Sequence, residues 1–276
     1  MRFKRFSYIL LLILTLFILG GCSKIDKLKV KTGLKNNDFE YMNENKVEKI
    51  VIQSTRDERF KFIATDKGTV KDLYKILSSA KTVSEKTDLD PDYIFEIHET
   101  GDKVHKFNYV VGFEQKGVGN FYSEDGKSYQ VSDRIDNDII RNLSTLRKPR
   151  KFEELYYDVL LKFIDEYGKD IDSNKKVGIN IADDVEVAKY ILSIDLQYFK
   201  EQLESKMPNA QLVEKNKEEF DTIINIRTYG YKTTIYKSII TVNDKQENSE
   251  EKYYVVCNND DRGWSINITK EKPDNF

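Results

Sequence analysis

Apolar residues are spaced in three different ways along the chain. From Ile9 to Leu19 they run almost unbroken, interrupted only by Thr15. Residues 23 to 45 carry Lys24, Lys27, Lys29, Lys31 and Lys35 and the polar runs 36–38 and 43–45, with no sustained amphipathic pattern, and read as a linker. From Lys46 onward the spacing switches between the two-residue period of strands and the 3.6-residue period of helices. Val47 to Gln53 and Arg59 to Thr65 form a predicted hairpin about the charged turn 55–58. A helix is expected from Thr69, with Asp72 completing a capping box and Val70, Leu73, Tyr74, Leu77 and Ala80 on one face. Tyr93, Phe95 and Ile97 alternate, as do Phe107, Tyr109 and Val111, giving a second hairpin. A third surrounds Asp125-Gly126, a strong turn pair. Ser132 or Asp133 caps a closing helix carrying Ile135, Ile139, Ile140, Leu143 and Leu146.

Pro149, within the basic run 147–151, disfavours helix just before it and marks a boundary. Phe152, Leu155, Tyr156, Val159, Leu160, Phe163, Ile164 and Tyr167 then make a wide apolar helical stripe. Val177, Ile179 and Ile181 alternate as a strand, and Tyr198 to Met207 reads as a helix stopped by Pro208. Strand-like runs follow near 211–215, 222–229, 233–242, 253–257 and 264–269. A helix-first unit that ends in long strands buries its stripe by laying the helix on the sheet. The fold class expected is α+β, with two small domains over 46–147 and 152–276, each an antiparallel sheet packed with helices.

Composition narrows the choices. The 276 residues are 39% hydrophobic and 33% charged, which suits folded domains with a charged surface. With 45 Lys plus Arg against 47 Asp plus Glu there is no basic field to favour nucleic acid. Two cysteines exclude a disulfide scaffold.

The N-terminus combines Arg2, Lys4 and Arg5 with the apolar run to Leu19, in the order of a secretory signal. The run is short for a spanning helix, which needs about 20 apolar residues. Leu19-Gly20-Gly21-Cys22 resembles the lipobox of bacterial lipoproteins. The resemblance implies a signal peptide over 1–21, cleavage after Gly21, a diacylglycerol on the Cys22 thiol and a lipidated tether over 22–45. Two acyl chains hold a membrane far better than one. Removing Arg2, Lys4 and Arg5 with the signal leaves 42 basic against 47 acidic side chains. It also leaves Cys257 without a second protein thiol in the processed chain, and its strand-like setting reads as a half-buried structural thiol.

No GxSxG, HExxH, CxxC, GxxxxGK or GxGxxG motif occurs. His98 and His105 fall on opposite faces of the expected hairpin, where they cannot share a metal. Asp88, Asp90, Asp92 and Glu99 take positions one, three, five and twelve of a calcium loop, but Tyr93 replaces the glycine that its sharp turn needs. An acidic loop leading into a strand is the better reading. Asp183, Asp184 and Glu186 read as a solvated loop. The 17 tyrosines suit antiparallel sheets. No catalytic residue, metal site or cofactor is expected beyond the lipid on Cys22.

Lys49-Ile50-Val51-Ile52, Asp90-Pro91-Asp92-Tyr93 and Ser128-Tyr129-Gln130-Val131 make the first domain similar to the YhfM-like lipoproteins of Gram-positive bacteria, a family that implies location and fold but no activity. The second domain, closing on Asp260-Asp261-Arg262-Gly263-Trp264-Ser265-Ile266, resembles NTF2-like or cystatin-like domains, many of them interaction modules. The lipobox, the short tether and the missing catalytic constellation lead to the expectation of a non-enzymatic binding module, anchored through Cys22 to the outer face of the cell membrane, with an envelope protein as partner. A small-ligand carrier with a cavity between helix 152–167 and the sheet is the alternative, and an envelope hydrolase using Asp183, Asp184 or Glu186 is a third.

Overall fold

Alternating apolar residues from 47 to 131 fold into strands because each strand can then bury one face. In the computed structural model, which describes residues 35–43, 45–141, 148–274 and 276, they do so in a seven-stranded sheet. Leu19, Gly20, Gly21 and Cys22, the signal and most of the tether lie outside the described residues, as do Leu143 and Leu146 of the expected closing helix.

The elements in order are helix α1 (Glu40–Asn43), strands β1 (Val47–Ser54) and β2 (Lys61–Ala64), helix α2 (Lys67–Ser78), and strands β3 (Lys81–Val83), β4 (Glu85–Lys86), β5 (Tyr93–Glu99), β6 (Val104–Tyr109), β7 (Val118–Gly119), β8 (Phe121–Ser123) and β9 (Ser128–Gln130). The sheet order is β2-β1-β5-β6-β8-β9-β3, with β4 and β7 as a separate parallel pair. A π-helical turn at Ile135–Ile140 buries Ile135, Ile139 and Ile140. Gly126, at φ 88°, supplies the left-handed residue of the turn between β8 and β9. Helix α2 starts earlier than its apolar pattern: Asp66 is its cap, accepting from the Thr69 amide at 2.7 Å, so the Thr69 capping box is not used.

The core of this unit is aromatic. Phe107 stacks on Phe121 with ring centroids 4.7 Å apart, and Phe95 meets Phe121 edge-on at 5.5 Å. Phe39 joins them, 4.9 Å from Tyr129 and fully buried. The expected tether is therefore too long at its C-terminal end. Asn36 donates its amide to Ser78 O at 2.6 Å, Tyr129 hydrogen-bonds Asp38, Tyr74 hydrogen-bonds Glu40, and Met42 is buried. Polar neighbours hide two apolar anchors here, which is why the segment reads as solvated.

In the second unit α3 (Phe152–Tyr167) is followed by β10 (Val177–Asn180), α4 (Ser193–Lys206), β11 (Ala210–Leu212), β12 (Thr222–Lys232), β13 (Ile235–Asp244), β14 (Ser249–Asp260) and β15 (Gly263–Thr269). Glu153 and Glu154 lie in the first turn of α3, where the helix dipole favours acidic groups. Phe152, Leu155, Tyr156, Val159, Leu160, Phe163 and Ile164 are all buried in one cluster with Ile224, Ile226, Ile240, Val255 and Cys257 of the sheet. At about 1.5–3 kcal/mol for each large side chain, this stripe is a principal source of stability.

The sheet order is β11-β10-β12-β13-β14-β15. The α+β class holds in both units, and the second sheet adds a mixed feature: β10 runs parallel to both β11 and β12, while the other neighbours are antiparallel. Helix α4 supplies the crossover that parallel β10 and β11 need. At the far edge, the Ile266 and Ile268 carbonyls of β15 accept from Lys162 and Tyr167 of α3, at 2.7 and 3.4 Å.

The units defined by packing differ from the expected domains in two excursions. Gln53–Lys61 and Leu89–Tyr93 group with the described residues from 148 onward, while the other described residues form the first unit. Among the described residues no helix is long and apolar enough to cross a membrane.

Candidate functional site

Helix α4 and edge strand β11 face each other across a groove in the second unit. Leu192 gives α4 no side-chain cap. Asp92 replaces it, accepting from the Ser193 amide at 2.8 Å while Arg56 Nη1 holds the same carboxylate oxygen at 2.6 Å. The Ser193 hydroxyl donates to the Asp90 carbonyl at 2.7 Å. Pro208 then stops the helix and turns the chain into β11.

The loop after β10 forms a second wall, and Asp184 fixes it. This carboxylate is 1% exposed; its Oδ2 accepts from Tyr156 Oη at 3.1 Å, Thr228 N at 2.9 Å and Thr228 Oγ1 at 2.8 Å. Burial raises its pKa above the ordinary carboxylate range, opposed by those hydrogen bonds. The expectation of a wholly solvated acidic loop is thus corrected at Asp184. Asp183 is exposed as expected; its hydrogen bonds with Lys217 and Asn180 lower its pKa.

Two clefts lie along β11. One, of about 450 Å³, has an apolar wall of Ile181, Ala182, Ala188, Ile191, Leu196 and Val213, with Arg56 and Asp90 at its rim. The other, of about 620 Å³, is lined by Leu203, Pro208, Ala210 and Phe220. They share Lys200, Leu212, Glu214 and Lys215 and so adjoin along the strand. Both volumes fall within the range of binding pockets. Lys200 and Glu214 pair at 3.0 Å, and the larger cleft carries Lys200 and Lys215 against Glu204, Glu214 and Glu219, so no single charge dominates.

Below the N-terminal turn of α4, Asp195 Oδ2 and the Tyr157 hydroxyl are buried without hydrogen-bond partners. Burial pushes the Asp195 pKa up to about 7; Glu153 and Asp92 add repulsion, and Lys148 and Arg56 oppose the shift.

The other groups singled out from sequence are dispersed. His98 contacts Glu96 at 3.3 Å, whereas His105 contacts Glu99 at 2.5 Å and stacks on Tyr41. Of the calcium-like set, Asp92 is engaged by Arg56 and Ser193 and Glu99 by His105 and Lys103. Among the described residues no group of three or more His, Cys, Asp or Glu is placed to hold a metal. Cys257 is fully buried rather than half-buried, and burial pushes its thiol up to about 12. Tyr109, Tyr129, Tyr156 and Tyr236 fill cores, while Tyr198 and Tyr229 are exposed. Side chains fill the space between the middle of α3 and the sheet, and an opening of about 380 Å³ lies by Phe163, Tyr167 and Tyr253. The groove escaped sequence reasoning because its walls come from 181–191, α4 and β11, none of which carries a motif.

No curated protein and no solved structure matches the chain. Residues 43–149 match the family described as YhfM protein, and the first domain is accordingly YhfM-like.

Proposed function

We propose that the chain is an extracytoplasmic lipoprotein, anchored in the cell membrane through acyl chains on Cys22, that acts as a non-enzymatic binding module of the envelope. The observation that carries the anchor is the coincidence of Arg2, Lys4 and Arg5, the apolar run Ile9 to Leu19, and Leu19-Gly20-Gly21-Cys22. Binding is favoured over catalysis by how the reactive groups are engaged: Asp184 holds Tyr156 and Thr228, the Cys257 thiol is buried, and each histidine contacts a glutamate. The groove between α4 and β11 is the binding surface in this proposal. The order of a leading helix and trailing strands supports the likeness of the second domain to NTF2-like or cystatin-like modules.

Cys22→Ala tests the anchor. The variant should leave the membrane fraction for the medium or accumulate as an unprocessed precursor; unchanged mass and fractionation would overturn lipidation. The carrier alternative draws on the opening beside Phe163, Tyr167 and Tyr253. A small molecule retained by the native protein, seen in its mass spectrum and lost in a variant with that opening filled, would favour the carrier.

A further inference from the structure

We propose that the groove receives an extended polypeptide segment, which adds to the open edge of β11 as a further strand. The proposal rests on the binding-module reading and names the chemistry of the partner.

Strand β11 is the last in its sheet. Val177 donates its amide to Asn209 O, and Val213 donates its amide to Ile179 O, each at 2.9 Å. In a parallel ladder with this register, the main-chain groups of Gln211 also face β10. The N–H and C=O of Leu212, one residue along, face away from it. The Ala210 amide is already engaged by Met207 O at 2.9 Å. Leu212 therefore presents an adjacent donor and acceptor at the edge, the pattern that another main chain in extended form matches.

The surroundings select the same occupant. An extended chain projects successive side chains to opposite sides, and the two clefts that share Leu212 offer an apolar wall and a mixed-charge wall to receive them. The Lys200–Glu214 pair and the neighbouring glutamates give no field for a polyanion, whereas a main chain carries no net charge. The opposite edge is partly occupied, because Lys162 and Tyr167 engage the Ile266 and Ile268 carbonyls. Strand addition to this sheet is thereby favoured at β11.

The test pans a random nonapeptide library displayed on phage against the full chain, in whichever fraction, membrane or medium, the native protein is found. Two variants accompany it. Leu212→Pro removes the outward amide, which no bond to β10 uses, and proline is tolerated at such an edge position. Ala182→Trp fills the apolar cleft from an exposed position. Enriched peptides should carry apolar residues at alternate positions. A synthetic copy should bind at least tenfold more weakly to each variant, and at least tenfold more weakly when one backbone nitrogen is methylated, with circular dichroism showing that each variant keeps the native fold; because Leu212 also packs on the core, some loss of melting temperature is expected in Leu212→Pro. Failure to enrich any sequence, binding to both variants as tight as to the wild-type chain, or indifference to backbone methylation would each overturn the proposal. A retained small molecule with no enriched peptide would keep a binding protein and remove the peptide, while the fractionation of Cys22→Ala reports on the anchor alone.

Discussion

Tyr156 on α3 donates its hydroxyl to Asp184 Oδ2 at 3.1 Å, tying the loop after β10 to the central helix within the core. Thr228 on β12 donates to the same oxygen through both its amide and its hydroxyl. Asp184→Ala would strand these donors in a site without solvent. The expected cost is about 3 kcal/mol of folding stability, read as a lower urea midpoint with an unchanged slope. A midpoint equal to wild type would mean that the loop is held by other contacts.

Asp195 makes stability depend on pH in the direction opposite to most carboxylates. Its folded pKa of about 7 lies above the ordinary value, so the folded state holds the proton more tightly than the unfolded chain does. Its contribution is therefore complete below the unfolded pKa of about 4 and is lost as pH rises through about 7. The difference in melting temperature between Asp195→Asn and wild type should shift in favour of the variant across that interval. A difference constant with pH would show that Asp195 titrates normally.

Phe39 tests where the folded part begins. It is fully buried against Phe107, Phe121 and Tyr129, so Phe39→Ala should cost about 3–5 kcal/mol. If residues up to 45 were only a tether, thermal melting would not change.

Cys257 reports on opening of the second unit. In a Cys22→Ala chain it is the sole thiol, and its burial and raised pKa should keep it unreactive toward an aromatic disulfide reagent at neutral pH. Labelling should accelerate with urea in step with unfolding. Rapid labelling of the native protein would place the thiol at the surface.

Elements that bury a regular stripe were legible in the sequence. The face of α3, the alternation of β5 and β6, and the Asp125-Gly126 turn all appear where apolar spacing or turn chemistry puts them. Contacts between residues distant in sequence were not legible. Asp92 looks like one of a series of acidic loop residues, yet it caps a helix that begins 101 positions later. Asp184 carries the same local signature as exposed Asp183, and only the fold brings Tyr156 and Thr228 to it. Parallel pairing of β10 was hidden as well, since a four-residue apolar strand gives no sign of its neighbours' direction. The groove inherits that difficulty, because β11 takes its place by parallel pairing with β10 and the walls are the connections around it.

The two carbonyls of β15 held by α3 bear on stoichiometry. A sheet open at both ends can join head to tail with copies of itself, and such a contact does not close, so it grows into a fibre. With Ile266 and Ile268 engaged by Lys162 and Tyr167, two of the acceptors that a strand arriving at β15 would use are already taken. If a guest strand does add at β11, the far side of the same sheet would offer a poorer template for the next one, and growth through this sheet would be disfavoured.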